Sequence, residues 1–444
     1  MAERPYHPGD EVSPRRHARH ERALAEATSI VRTLREAGHI AYFAGGCVRD
    51  ELLGLEPVDY DIATDARPER VSELFGRTSH VGAHFGVVLV RPERDSASVE
   101  VATFRSDGSY SDNRRPDEVT FSTPEEDAAR RDFTVNALFM DPLVSRDAPA
   151  RERVIDYVSG VEDLDAGVIR AVGDPDERLA EDHLRALRAV RFAARLGFRI
   201  DEGTQEAIRR HARELSGVSR ERIGDEMRKV MADRYRAVAI WQLQYLGLDE
   251  PVLGEAKERA LPRTLGRLPD DAELGTSFAA LALDRGLIEL SQVAGLVESW
   301  RERLCLSNQE RDRFKEVLTG LGLLEGEWPL MGVATQKRAA SADWFTEALR
   351  LVAARDLENM VRIRRRVDQL IGTPSGLSPR PLVDGDALIA AGHRPGPLFG
   401  RVLDAVYDAQ LEDLISDRAQ AMEHASRLFE QWSRETPGSG GSGG

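Results

Sequence analysis

A glycine pair and an acidic pair stand close together near the start of the chain, and their spacing suggests a common chemistry. Gly45 and Gly46 follow an apolar run, residues 40–44, and precede a helix-like segment. Backbone N–H groups at such a strand-to-helix turn can face a polyphosphate, and the missing side chains let it approach closely. Asp59 and Asp61 come next, and on an extended strand both carboxylates point to one face. Because two carboxylates beside bound phosphates suit a pair of Mg²⁺ ions, the pattern predicts nucleotidyl transfer.

Two further charged residues extend this prediction. Arg49 lies about one helical turn beyond the glycines, where its guanidinium can clamp the same phosphates. Glu100 alternates with Val99 and Val101 and therefore faces away from these apolar neighbours. It is either a third carboxylate of the metal site, able to help deprotonate an attacking hydroxyl, or a solvent-facing strand residue.

A third cluster lies in the segment Arg130-Arg131-Asp132-Phe133-Thr134-Val135-Asn136-Ala137, which follows an acidic stretch. Its two arginines predict phosphate binding, and Asp132 is a candidate acceptor for a ribose hydroxyl. The alternative is an ordinary charged start of a helix.

A predicted helix over residues 181–192 carries the fourth cluster. Asp182, Arg185 and Arg188 recur every three residues, so they are expected near one helix face. Cytosine and adenine both present an amino donor beside a ring-nitrogen acceptor, which an acceptor–donor pair of Asp182 and Arg185 matches. Uracil and guanine present the reversed order. The pair therefore predicts acceptance of CTP and ATP, against the alternative of a surface salt bridge of little energetic value.

Composition limits the possible classes of protein. The chain has 444 residues, of which 41% are hydrophobic, and a net charge of −15, which argues against broad adhesion to polyanions. It contains no apolar run long enough to span a membrane, and residues 1–21 do not resemble a secretory signal. Cys47 and Cys305 predict neither a disulfide framework nor a zinc site, and a reducing cytoplasm fits.

Strand and helix signals mix from about residue 39 to 142, and helical periodicity dominates after about residue 175. The sequence therefore predicts a mixed catalytic head followed by a long helical body. Residues 105–121 are polar with few apolar anchors, which predicts a mobile loop.

With these residues placed, the chain resembles the class II tRNA nucleotidyltransferases of bacterial type. That family includes the bacterial poly(A) polymerases and belongs to the polymerase-β-like superfamily. The resemblance covers roughly residues 40–232 in five blocks: Gly45–Asp50 with Asp59–Asp61, Arg130–Ala137, Gly160–Leu164, Glu181–Arg185 extending to Phe192, and Glu221–Glu226 with Lys229.

The resemblance implies an α+β fold, with a polymerase-β-like head of mixed sheet and helices followed by an all-α neck, body and tail. The expected divisions are a flexible leader (1–20), the head (21–158), the neck with the base-selecting helix (159–232), a helical body and tail that bind tRNA (233–436), and a Gly/Ser linker (437–444).

The resemblance also assigns roles to residues of this sequence. Asp59 and Asp61 would hold two Mg²⁺ ions, with Glu100 as a third catalytic carboxylate. The implied nucleotide-binding residues are Gly45, Gly46, Arg49, Arg130, Arg131, Asp132, Asn136, Asp182, Arg185, Arg188 and Arg191, the last two either supporting the base-selecting pair or contacting phosphate. The implied reaction is in-line attack of an RNA 3′-hydroxyl on the α-phosphate of CTP or ATP. The implied partner is tRNA, through its acceptor and T arms, with no membrane and no disulfide-linked partner.

Several activities stay open within and outside the family. The long segment 105–121 argues against an enzyme that adds only the two cytidines, and the lack of a basic C-terminal tail argues against a poly(A) polymerase. Full CCA addition is the preferred prediction, and an enzyme that adds only the terminal A would look nearly identical. A non-catalytic RNA- or nucleotide-binding homologue and a small-molecule nucleotidyltransferase are the alternatives outside it. The chain contains no His-Asp dipeptide, so no second phosphohydrolase site is predicted.

Overall fold

The computed structural model describes residues 14–57, 59–80, 86–92, 97–107, 119–145, 148–255, 260–286 and 289–435. They form two compact units. The first holds the described residues up to Pro262 together with Ser299–Leu306, and the second holds Arg263–Glu298 and the described residues from Ser307 onward. No helix within these ranges is both long and apolar enough to cross a membrane.

The first unit begins with alternating helices and strands. In chain order they are α1 (Pro14–Glu36), β1 (Ala41–Ala44), α2 (Gly46–Leu52), β2 (Asp61–Thr64), α3 (Pro68–Leu74), β3 (Thr78–His80), β4 (Val87–Val90), β5 (Val99–Thr103), β6 (Arg105–Asp107), β7 (Val119–Phe121), α4 (Pro124–Ala129), β8 (Phe139–Met140) and β9 (Val154–Ile155).

Seven of these strands form one mixed sheet in the order β3-β4-β5-β2-β1-β8-β9. The β2–β5 pair is parallel, and the other neighbours are antiparallel. The strands bury their apolar positions in a core that α1 covers. Helix α1 buries residues at helical spacing, Leu24, Ala27, Ile30, Val31 and Leu34. It begins at Pro14 and therefore includes residues that the sequence analysis assigned to a leader.

The predicted loop over residues 105–121 is only partly described. Its two ends pair as β6 and β7 in an antiparallel hairpin, with Arg105 opposite Phe121. Residues 108–118, on which the prediction of mobility mainly rests, lie outside the described residues.

The rest of the first unit is mainly helical. It contains α5 (Gly160–Ala166), β10 (Val168–Ile169), α6 (Pro175–Glu181), α7 (Arg185–Leu196), β11 (Arg199–Ile200), α8 (Glu202–Arg210), α9 (Arg220–Met231), α10 (Arg236–Tyr245) and α11 (Asp249–Leu253). Helices α10 and α11, which the sequence analysis assigned to the body, belong to this unit.

The predicted continuous helix over residues 181–192 is wrong. Helix α6 ends at Glu181 and α7 begins at Arg185, because the backbone of Asp182 is extended (φ −153°, ψ 99°). The Asp182 carboxylate accepts a hydrogen bond from the Leu184 N–H (3.1 Å), which stabilises the turn between the two helices. Asp182 therefore stands just before α7 rather than on its face.

In the described part of the second unit, regular structure is helical. The helices are α12 (Arg263–Gly266), α13 (Leu274–Asp284), α14 (Leu290–Leu304, whose last residues belong to the first unit), α15 (Asn308–Gly322), α16 (Val333–Ala340), α17 (Phe345–Arg355), α18 (Leu357–Ile371), α19 (Gly385–Ala390), α20 (Pro397–Leu411) and α21 (Arg418–Glu435). Leu388, Val402 and Ala425 belong to an apolar core formed by α19, α20 and α21. The predicted mixed head followed by helices is thus observed.

Candidate active site

The predicted chemistry-bearing residues converge on one cavity of about 640 Å³ in the first unit, here called the site cavity. Of the predicted site residues, Arg191 is the one that does not line it. The cavity opens where β1, β2 and β5 end or begin, and α2, α7 and the segment after α4 form further walls. Residues that are far apart in the sequence thus share one space.

The glycine turn has the predicted strand-to-helix geometry. Strand β1 ends at Ala44, Gly45 adopts φ 74°, and α2 begins at Gly46. A Cβ atom on Gly45 would lie 3.0 Å from Arg131 Nη1, so the backbone conformation and the close approach both require glycine here. The Gly45 N–H donates to the carbonyl of Leu138 (2.9 Å), which leaves the later amides of the turn as the candidate phosphate donors.

Three carboxylates gather at the other side of the turn. Asp61 begins β2 and lies directly opposite Glu100 in the parallel pairing with β5, and Asp59 precedes the strand. The burial pattern of β5 confirms that Glu100 faces away from the apolar core. Asp61 reaches the solvent of the cavity, yet protein surrounds much of it. This desolvation, with the charges of Glu100 and Asp59, raises the pKa of Asp61 to about 6.

The two arginines after α4 are held by a residue that the sequence analysis did not single out. Asp127 is buried and accepts from Arg130 Nη2 at 2.6 Å and from Arg131 Nη2 at 2.9 Å. Burial alone would raise the pKa of Asp127, but the two guanidinium charges outweigh it and lower the pKa. Its place four residues before Arg131 on a helix was the available signal, because such pairs lie on one face.

Asp132 and Asn136 connect this segment to α7 and α2. Arg188 donates from Nε to Asp132 at 2.8 Å, and Asn136 Nδ2 donates to the same carboxylate at 3.1 Å. Arg49, which is buried, donates to Asn136 Oδ1 and to Asp50. The predicted nucleotide-binding groups therefore hold one another in place.

The ring of Phe192 supports three of the arginines. The guanidinium carbons of Arg49 and Arg188 lie 5.3 Å from its centroid and that of Arg191 lies 4.3 Å away, within cation–π range. Arg191 donates to the buried Glu226 (2.7 Å), and Lys229 donates to the same carboxylate (2.9 Å). Burial alone would raise the pKa of Glu226, but these cations outweigh it and lower the pKa.

The base-selecting pair, Asp182 and Arg185, lies in the cavity wall, and each member has another partner. Asp182 accepts from Arg222 Nη2 at 2.6 Å. Arg185 donates to Glu181 Oε2 at 2.5 Å and to the carbonyl of Arg178. Both side chains are therefore fixed before a base arrives.

Cys47 lies within the glycine turn, but the structure gives it no nucleophilic character. Burial raises the pKa of its thiol to about 12, so the thiolate is not populated near neutral pH. Cys47 and Cys305 are both free thiols.

Comparison with known proteins decides the family. Residues 41–170 match the family described as the poly A polymerase head domain, and residues 197–259 match the probable RNA and SrmB-binding site of polymerase A. The CCA-adding enzyme of Geobacillus kaustophilus is 35% identical over 404 residues, which cover 89% of this chain and 94% of that enzyme. The enzyme of Lactobacillus helveticus is 32% identical over 399 residues, covering 90% and 95%. The chain belongs to the family of CCA-adding enzymes.

A solved structure agrees with this assignment. The crystal structure of the Bacillus stearothermophilus CCA-adding enzyme in complex with CTP superposes with a TM-score of 0.73 at 30% identity, covering 93% of this chain and 99% of that one. The predicted family and the predicted fold class, a polymerase-β-like head followed by helices, are thereby confirmed.

Proposed function

We propose that this protein adds CCA to the 3′ ends of tRNA from CTP and ATP without a nucleic-acid template. The observation that carries the proposal is one cavity that joins Asp59, Asp61 and Glu100 to the base-selecting pair. The relatives named CCA-adding enzymes, which share about nine-tenths of the chain, support it. A small-molecule nucleotidyltransferase would need the carboxylates but not Asp182 and Arg185.

The carboxylates fit a divalent cation. Asp61 cannot ionise easily beside Glu100 and Asp59, and a bound cation would relieve that repulsion. Among the described residues, no three side chains are placed to hold a metal by themselves. Magnesium is often bound by one or two carboxylates together with substrate phosphates and water, which suits this arrangement. Asp59 and Asp61 would hold Mg²⁺, and the ions, when bound, neutralise phosphate charge and acidify the attacking hydroxyl.

The remaining residues bind and orient the two substrates. The amides after Gly45, with Arg49, Arg130 and Arg131, would hold the triphosphate so that its α-phosphate faces the RNA 3′-hydroxyl. Glu100, opposite Asp61, is placed to receive the hydroxyl proton, while pyrophosphate departs from the α-phosphate.

Base selection would fall to Asp182 and Arg185. The carboxylate accepts from the amino group of cytosine or adenine, and the guanidinium donates to the adjacent ring nitrogen. Uracil and guanine would leave both protein groups mispaired in a poorly solvated wall, at a cost of roughly 1–3 kcal/mol for each unsatisfied group. Arg188, fixed on Asp132, would stand beside the ribose and phosphate.

The helical part of the chain beyond the head would bind tRNA, and the cytoplasm, where thiols stay reduced, is the proposed location. Within this proposal, residues 233–436 supply the contacts to the acceptor and T arms. The match of residues 197–259 to a probable RNA-binding region supports RNA contacts close to the site.

The test uses purified protein with Mg²⁺ and three tRNAs that end at the discriminator base, after one C, and after two Cs. Each is incubated with CTP, ATP, UTP and GTP separately and with CTP and ATP together. Addition of C, C and A followed by a stop is expected. Addition of A alone to the CC-ending tRNA would indicate an A-adding enzyme, long A tails a poly(A) polymerase, and nucleotide binding without incorporation a non-catalytic homologue.

A further inference from the structure

The first turn of α1 brings a cationic side chain to the wall of the site cavity. Arg16 is half-buried and lines the cavity together with Asp59 and Asp61. It lies outside the matched head-domain region, residues 41–170, and within the segment that the sequence analysis treated as a leader.

Helix α1 is fixed against the segment that carries Asp59. His17 Nδ1 lies 2.7 Å from Glu56 Oε1, and His20 Nδ1 lies 2.7 Å from the carbonyl oxygen of Pro57. The His20 ring also lies 6.3 Å from the ring of Tyr60. Arg16 and His20 are four residues apart on the helix and share a face, so the same contacts direct Arg16 towards this wall.

Arg16 enlarges the set of elements that supply positive charge to the cavity. The predicted phosphate-binding arginines come from α2, from the segment after α4 and from α7, whereas Arg16 comes from α1 and stands with the carboxylates. A guanidinium forms a planar donor fork that matches two phosphate oxygens. The proposed reaction brings two phosphate sources past these carboxylates, the last phosphodiester of the RNA and the nucleoside triphosphate.

We propose that Arg16 is a further substrate-binding residue of this site and that it contacts a substrate phosphate. The inference rests on the proposed function, because that function supplies both phosphates. A purely structural role would instead be charge compensation for the neighbouring carboxylates.

The experiment compares Arg16→Ala, Arg16→Gln and Arg16→Lys with wild type, and Arg15→Ala serves as the matched control. Arg15 is an exposed arginine next to Arg16 on the same helix turn. The KM for CTP at saturating tRNA, the KM for tRNA at saturating CTP and kcat are measured, with equilibrium tRNA binding over a range of KCl concentrations. Loss of a charge-assisted contact should raise one KM about 10-fold, with partial recovery in Arg16→Lys and little change in Arg15→Ala.

The two phosphate sources give different results. A contact to RNA raises the KM for tRNA and reduces the salt dependence of tRNA binding by about one phosphate contact, whereas a contact to the triphosphate raises the KM for CTP alone. Identical behaviour of Arg16→Gln and Arg15→Ala, or a lower kcat with both KM values unchanged, would overturn the proposal. If wild type does not extend tRNA, the proposed function fails, and the equilibrium binding of tRNA and of CTP to the same variants still tests Arg16.

Discussion

Asp182 and Arg222 form an ion pair, with Arg222 Nη2 2.6 Å from Asp182 Oδ2, that joins the turn before α7 to the first turn of α9. Asp182 is the residue that we propose accepts a hydrogen bond from the amino group of cytosine or adenine. Its other carboxylate oxygen accepts the Leu184 N–H, so both oxygens have a partner in the turn. The acceptor of the base-selecting pair is therefore held in one orientation by residues that need not touch the nucleotide.

Replacement of Arg222 by alanine should loosen base selection without abolishing catalysis. Asp182 would keep its charge but lose the contact that orients it, so the preference for CTP over UTP should fall by about 10-fold. The measurement is kcat/KM for each nucleotide on a tRNA that ends at the discriminator base. Arg213→Ala, an exposed arginine shortly before α9, is the control, and an unchanged preference in Arg222→Ala would contradict this role.

Replacement of Asp127 by asparagine should weaken triphosphate binding and stability together. The variant removes the buried charge that holds both Arg130 and Arg131, and breaking such a pair costs about 3 kcal/mol. The KM for CTP should rise while the KM for tRNA changes little, and the midpoint of thermal unfolding should fall. Glu126→Gln, a neighbouring exposed carboxylate, is the control, and an unaltered KM for CTP would show that the arginines are placed by other contacts.

Replacement of Glu226 by glutamine should give a loss of stability that depends on pH. The folded-state pKa of Glu226 is lowered, so its carboxylate stabilises the fold above the unfolded-state pKa, about 4.3, and this contribution is lost as the pH falls through the folded-state value. The variant should unfold at a lower temperature than wild type at pH 7, and the difference should shrink below about pH 4. A constant difference at all pH values would point to packing rather than charge.

Replacement of Asp61 by asparagine should raise stability while it removes activity. The folded-state pKa is raised to about 6, so the folded protein favours the protonated acid, and ionisation destabilises it as the pH rises from about 4 to 6. After allowance for solvent exposure this amounts to about 1 kcal/mol, or roughly 2–4 °C in melting temperature at pH 7. Melting curves in EDTA between pH 5 and 8 measure it, with Glu69→Gln on the exposed face of α3 as the control. A lower melting temperature at pH 7 would contradict the raised pKa.

The chemistry-bearing residues were predictable from the sequence because each belongs to a short, local pattern. Gly45 requires a positive φ, Glu100 alternates with buried valines, and both properties follow from the backbone of one segment. The long-range contacts were not predictable in the same way. Phe192 collects three arginines from two helices, and Arg222 reaches Asp182 across 40 positions of sequence.

The break between α6 and α7 shows where periodicity misled the prediction. Residues 181–192 have helical spacing, but the side chain of Asp182 hydrogen-bonds to its own backbone two residues later and favours a turn. Arg16 escaped notice for a different reason. Its neighbours in the sequence are polar, and only the packing of α1 brings it to the cavity.

The most direct test of the account is the nucleotide preference of wild type and of Asp182→Ala on a tRNA that ends at the discriminator base. The kcat/KM values for CTP and for UTP are measured for both proteins with Mg²⁺. Wild type should prefer CTP by at least about 100-fold, and Asp182→Ala should lose most of that preference while keeping measurable incorporation. An Asp182→Ala variant that retains the full preference, or a wild type that accepts UTP as readily as CTP, would contradict base selection by this pair.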